Sequence, residues 1–146
     1  MGLKGKLISQ IEMNCAGHLL HEHFKSNAHQ TSAMSPDRVT NFKFHEGQLG
    51  KTNSVVSWKY ILGGKERHAK QVLHIDDVEK SMTFNFVEGY MNELFKSITV
   101  TLTAKENWIT WTIEYEKLNE TIPDPLDLME FVIGVIKDLE PYHVGK

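Results

Sequence analysis

Leu7 to Met13 alternates in polarity, with Leu7, Ser9, Ile11 and Met13 on one side and Lys6, Ile8, Gln10 and Glu12 on the other. Successive side chains of an extended chain point to opposite faces, so this stretch reads as a strand with one mostly apolar face. The spacing then changes. Asn14 is a suitable cap for a short helix whose apolar stripe is Ala16, Leu19, Leu20 and Phe24. Ser26 to Ser35 is polar and mixed and reads as a loop or a broken second helix. Ser35-Pro36-Asp37 is a helix-start or turn signal.

From Val39 the pattern is that of strands. Val39–His45, Val55–Leu62, Arg67–Ile75, Ser81–Glu88, Phe95–Thr103 and Trp108–Glu116 are rich in β-branched and aromatic residues. Gly63-Gly64 and Asp76-Asp77 mark tight turns, and Ala104 to Asn107 joins the last two strands. Pro123 and Pro125 end the β region. Leu128, Met129, Val132, Ile133, Ile136 and Leu139 then recur at helical steps between Leu126 and Leu139, with Pro141 as the stop. Serial hairpins without a βαβ alternation exclude a doubly wound nucleotide fold. They fit a strongly bent antiparallel sheet that grips the last helix, with a cavity wherever the helix does not fill the bend.

The segment "HEGQLGKTNSVVSW" raises a competing possibility, because Gly47, Gly50, Lys51 and Thr52 have the flavour of a phosphate loop. The glycines stand too close to the lysine for that motif, and a strand follows where a helix is required. A hairpin rim with permissive glycines, or at most a small anion nest, is the plainer reading. In "CAGHLLHEHF", Cys15, His18 and His21 are donors that suit zinc, but no second half of a four-ligand site follows. His18, His21 and His23 then read as solvated helix residues and Cys15 as a small apolar filler. His45, His68 and His74 lie on strands, where one turned inward would supply an acid or base. No nucleophile–base–orienter set emerges from spacing.

The aromatic strand residues say more. Most serve as core, yet a cup must have some of them at its hollow. The expected inner wall is Tyr60, Phe84, Phe86 and Trp111, with Met129, Val132, Ile133 and Ile136 on the helix. Tyr60, Tyr90 and Tyr115 are the hydroxyls available to orient a mainly apolar ligand.

Composition narrows the class. At 146 residues, 40% hydrophobic and 24% charged, the chain reads as one soluble globular domain over residues 1–146. A net charge of −3 gives no reason to expect nucleic-acid binding. One cysteine, no signal-like N-terminus and no membrane-length apolar run point to a reduced, cytoplasmic setting without membrane insertion.

Several stretches together, "GLKGKL", "SPDRV", "HEGQLGKTNSVVSWKY", "VEGYMNELFKS", "WTIEYEKLNE" and "DPLDLMEFV", resemble the plant major latex protein-like group of the Bet v 1 superfamily across nearly the whole chain. The resemblance implies an α+β helix-grip fold, with a seven-stranded curved antiparallel sheet around a long C-terminal helix and two short helices at one end. It makes Leu7–Met13 the seventh strand and sets Asn53 where the group has another glycine. It further implies binding of a small hydrophobic plant metabolite in specialised metabolism or defence, without a cofactor or metal, by a monomer or weak dimer. The alternative it carries is a cofactor-independent isomerase or cyclase acting on a reactive terpenoid or alkaloid intermediate. Against the hormone-receptor branch, the loop between the third and fourth strands is only "LGGK", and "EGYMNE" lacks that branch's His-Arg-Leu latch.

Overall fold

Alternation of apolar and polar residues resolves into one antiparallel sheet whose strands run β1-β7-β6-β5-β4-β3-β2 across its width. The computed structural model describes residues 3–13, 17–48, 51–105 and 107–143. Its strands are β1 (Lys4–Glu12), β2 (Val39–Glu46), β3 (Val55–Leu62), β4 (Lys65–Asp76), β5 (Ser81–Gly89), β6 (Phe95–Ala104) and β7 (Trp108–Lys117). The helices are α1 (Gly17–Ser26), α2 (Thr31–Met34) and α3 (Leu126–His143), with single 3₁₀ turns at Ala28–Gln30 and Tyr90–Glu93.

The period of two decides which face is buried. Ile98, Val100, Leu102 and Ala104 on β6 stand opposite Tyr115, Ile113, Trp111 and Ile109 on β7, and all eight are buried. The intervening Thr99, Thr101, Thr103, Thr110 and Thr112 are half-buried on the other face. Helix α3 lies across the apolar face and packs against α1, α2, β1, β3 and β7. Each Leu, Ile or Val buried there stabilises the fold by about 1.5–3 kcal/mol, and Leu128, Val132, Val135, Ile136 and Leu139 are all buried.

Differences from the sequence reading have local causes. The first strand starts earlier, at Lys4, because β7 is long enough to pair with it as far as Glu116. The polar stretch after Ser26 holds a 3₁₀ turn and the one-turn helix α2. Pro141 lies inside α3, which continues to His143. A proline in the final turn forfeits one helical hydrogen bond without breaking the turns before it. In the β2–β3 connection, Gly47 has φ +90° and Asn53 has φ +66°, and strand β3 follows. Ser54 Oγ donates to the Lys51 carbonyl at 2.7 Å and Asn53 N–H to that of Leu73 at 2.7 Å, so the connection is a rim folded onto β4. Gly50 and Cys15 lie outside the described residues, as does the His18 side chain.

Two polar ties fasten α3. Asp138 accepts from Arg38 Nη1 at 2.7 Å and Ser35 Oγ at 2.6 Å, joining the α2–β2 corner to the end of α3. At the other end, Asp124 accepts from Tyr115 Oη at 2.7 Å and pairs with Lys117 Nζ at 2.9 Å. Burial, then the bond to Asp124, pushes the Tyr115 hydroxyl up to about 12, while Lys117 and Tyr115 hold the Asp124 carboxyl below its ordinary value. A raised tyrosine contributes stability that is complete below about pH 10 and is lost as pH rises through its folded value. Urea midpoints of the wild type are therefore expected to fall between pH 10 and 12 more steeply than those of Tyr115→Phe. Parallel curves would contradict the assignment.

Candidate ligand cavity

The bend of the sheet leaves a cavity of about 70 Å³ between its concave face and the helices. The sheet supplies Trp58, Tyr60, Ala69, Gln71, Phe84, Phe86, Val100 and Trp111, and Val39 lies at its margin. The helices supply Phe24 from α1, Thr31 from α2 and Leu128, Phe131, Val132 and Val135 from α3. These α3 positions fall within an arc of about 100° on a helix that turns about 100° per residue, so their spacing aims them at one hollow. The exposed lining is almost entirely apolar carbon. A volume of this size holds a few waters, whereas pockets for metabolite-sized ligands measure roughly 300–1,000 Å³. A metabolite-sized guest would fit only if wall side chains or α3 gave way.

Aromatic contacts set the shape of the hollow. Phe24 stands edge-on to Phe84 and Trp111, with ring centroids 6.0 and 6.2 Å apart. Tyr60 and Phe131 meet at 5.3 Å, bridging β3 to α3. Three side chains of the wall carry a polar atom with no hydrogen-bond partner among the described residues: Tyr60 Oη, Gln71 Oε1 and Trp111 Nε1. Burial pushes the Tyr60 hydroxyl well above its ordinary range, so it stays protonated. Thr31, fully buried on the wall, shares a 2.7 Å hydrogen bond with Nε2 of buried His23.

The sequence profile of the pathogenesis-related protein Bet v 1 family matches residues 2–145. The chain belongs to the Bet v 1 family. Within it, the major latex proteins are its similar relatives. MLP-like protein 43 of Arabidopsis thaliana is 32% identical, the alignment covering 96% of this chain and 93% of that protein. Ginseng major latex-like protein 151 from Panax ginseng has a crystal structure that superposes with a TM-score of 0.94 at 39% identity, covering 98% of this chain and 99% of that one. The Zhui aromatase/cyclase of a Streptomyces species superposes with a TM-score of 0.72 at 7% identity over 96% and 93% of the two chains, a likeness of fold alone.

In this Bet v 1 family member, Tyr60, Phe84, Phe86, Trp111 and Val132 stand on the cavity wall. Met129 and Ile136 are buried in the core but off the wall, and Ile133 is half-buried. All three lie about 80–140° around the helix from Leu128, on a face adjacent to the one that meets the hollow. Tyr90 is likewise off the wall. It is half-buried in the 3₁₀ turn, with the Arg67 guanidinium 3.8 Å above its ring. Tyr115 is committed to Asp124 and packs on Phe95. His45, His68 and His74 all fall on the outer parity of their strands; His45 bonds Ser57 Oγ at 2.7 Å and His74 bonds Thr52. His21 and His23, read as solvated, are buried, because residues 20, 21, 23 and 24 form the inner side of α1. His21 Nε2 lies 3.3 Å from the Ser81 carbonyl. Among the described residues no three His, Cys, Asp or Glu side chains gather around a possible metal position, and no helix is long and apolar enough to cross a membrane.

The wall residues that sequence reasoning left out include Phe131, Gln71 and Thr31. Phe131 had a legible signal, since it sits three residues after Leu128 and one before Val132. Gln71 had none: a glutamine on a strand normally marks the solvent face, and its inward parity depends on pairing with Val56 and Phe86.

Proposed function

We propose that the protein binds a small hydrophobic metabolite inside this cavity. The supporting observation is the wall itself: an apolar hollow ringed by aromatic side chains, in a fold whose long helix could otherwise have filled it. Burial of apolar ligand surface supplies the affinity, and the few polar atoms set orientation. Native mass spectrometry after incubation with a plant metabolite extract tests the reading. One equivalent of a retained apolar compound is expected. A mass that stays at that of the bare polypeptide across extracts would contradict it.

The His23–Thr31 pair favours a second reading, in which the cavity acts as a cofactor-independent isomerase or cyclase on a reactive terpenoid or alkaloid intermediate. A hydroxyl on the wall backed by an imidazole can relay a proton to an enclosed substrate. Product analysis separates the two. Many product molecules per protein support catalysis, and protection at one equivalent supports binding.

A further inference from the structure

Resting on the reading of the cavity as a binding site, we infer that its ligand is an uncharged apolar molecule bearing a hydroxyl or a hydroxyl–carbonyl pair, recognised by Tyr60, Gln71 and Trp111. These residues line the cavity and are 4%, 6% and 2% exposed, and each has a buried polar atom without a partner among the described residues. Buried polar atoms normally find partners, and leaving one unpaired is destabilising. The three sit beside one hollow, behind its carbon lining, and a ligand that displaces wall side chains completes their bonding.

The chemistry of the three atoms specifies the guest. An indole N–H can only donate, so Trp111 requires an acceptor. Gln71 Oε1 accepts and requires a donor, and the Tyr60 hydroxyl serves either way. A ligand hydroxyl meets both needs. Charge is excluded by what the wall lacks. Among the described residues, none lining the cavity is Lys, Arg, His, Asp or Glu, and an ion moved into such surroundings without a counter-ion is heavily penalised. Arg67 faces Tyr60 across the β3–β4 pair but is off the wall, with its guanidinium over Tyr90 and Nε 3.3 Å from the Leu62 carbonyl.

Three probes of one skeleton test this: geraniol, geranate and the hydrocarbon 2,6-dimethylocta-2,6-diene, titrated at pH 7.5 by tryptophan fluorescence. Geraniol is expected to bind at least 100-fold more tightly than geranate, the gap narrowing as pH falls towards that of carboxylate protonation. In Gln71→Leu, Trp111→Phe and Tyr60→Phe, the ratio of geraniol to hydrocarbon affinity is expected to fall about tenfold, the loss of one hydrogen bond of ordinary worth. Ligand-free Gln71→Leu is expected to melt about 2–4 °C higher, since an unpaired buried amide oxygen is removed. A ratio unchanged in all three variants overturns the inference. Tight geranate binding that disappears in Arg67→Gln overturns it in favour of an anionic amphiphile. If Val132→Phe excludes all three probes while the ratio stays constant, the cavity reading stands and the polar inference falls. If binding of the probes ignores Val132→Phe, both fall together.

Discussion

Gly89→Ala is expected to lose more than about 3 kcal/mol of folding stability, the sum of backbone strain and a steric clash. Gly89 adopts φ +125°, ψ −161°, a region open essentially to glycine. A Cβ there would lie 2.1 Å from the His68 carbonyl oxygen and 2.9 Å from its carbon, both backbone atoms that cannot swing aside. The position is not incidental to the site. Gly89 pairs with Ala69 beside a bulge, where β4 goes from Lys70 opposite Glu88 to Gln71 opposite Phe86. The bulge lets Val87 and Glu88 both face solvent while Phe86, Gln71 and Ala69 stay on the wall. Gly64 supplies the control. It also has positive φ, at +77°, but has open space where its Cβ would be, so Gly64→Ala is expected to lose about 1 kcal/mol. Urea denaturation of the two variants measures the contrast. Equal losses would show that the close approach at His68 contributes nothing.

The second large effect is on binding. Val132→Phe places a ring in a cavity of about 70 Å³ from the centre of the helical wall. Affinity for an apolar ligand is expected to fall at least 100-fold. Overpacking costs about 1–3 kcal/mol of stability, so the variant folds, which circular dichroism and a melting curve verify. Ile133→Phe is the matched comparison, since Ile133 is half-buried and off the wall. It is expected to keep wild-type affinity. Calorimetry with one ligand on both variants decides the matter, and a loss shared equally by the two would place the guest elsewhere.

What the sequence disclosed follows from which forces are local. Alternation along β6 and β7 and the helical steps after Pro125 report burial directly, so the strands, the long helix and their order were legible from residues alone. The pairing of Lys4–Glu12 with β7 is a long-range contact, and the family resemblance rather than periodicity brought that strand into the sheet. Wall assignments divide along the same line. Tyr60, Phe84, Phe86 and Trp111 follow from strand parity once the concave face is known. On α3 a broad apolar surface meets both cavity and core, and hydrophobicity does not distinguish Val132 from Met129. Rotation about the helix axis does, and packing against α1, α2 and the sheet sets it. The inward turn of His21 and His23 was hidden because a histidine beside the Leu20–Phe24 stripe reads as polar, while the groups it meets when buried, the Ser81 carbonyl and Thr31 Oγ1, come from other elements.

The central claim is that the functional surface is inside the sheet rather than on it. Methyl-resolved NMR during titration with geraniol tests it most directly. Saturable shifts are expected at Val100, Leu128, Val132 and Val135 on the wall, with Ile8 and Val87, which are 58% and 46% exposed on the outer face, left unmoved. Shifts confined to Ile8, Val87 and their neighbours, with the wall methyls unchanged at saturation, would contradict it.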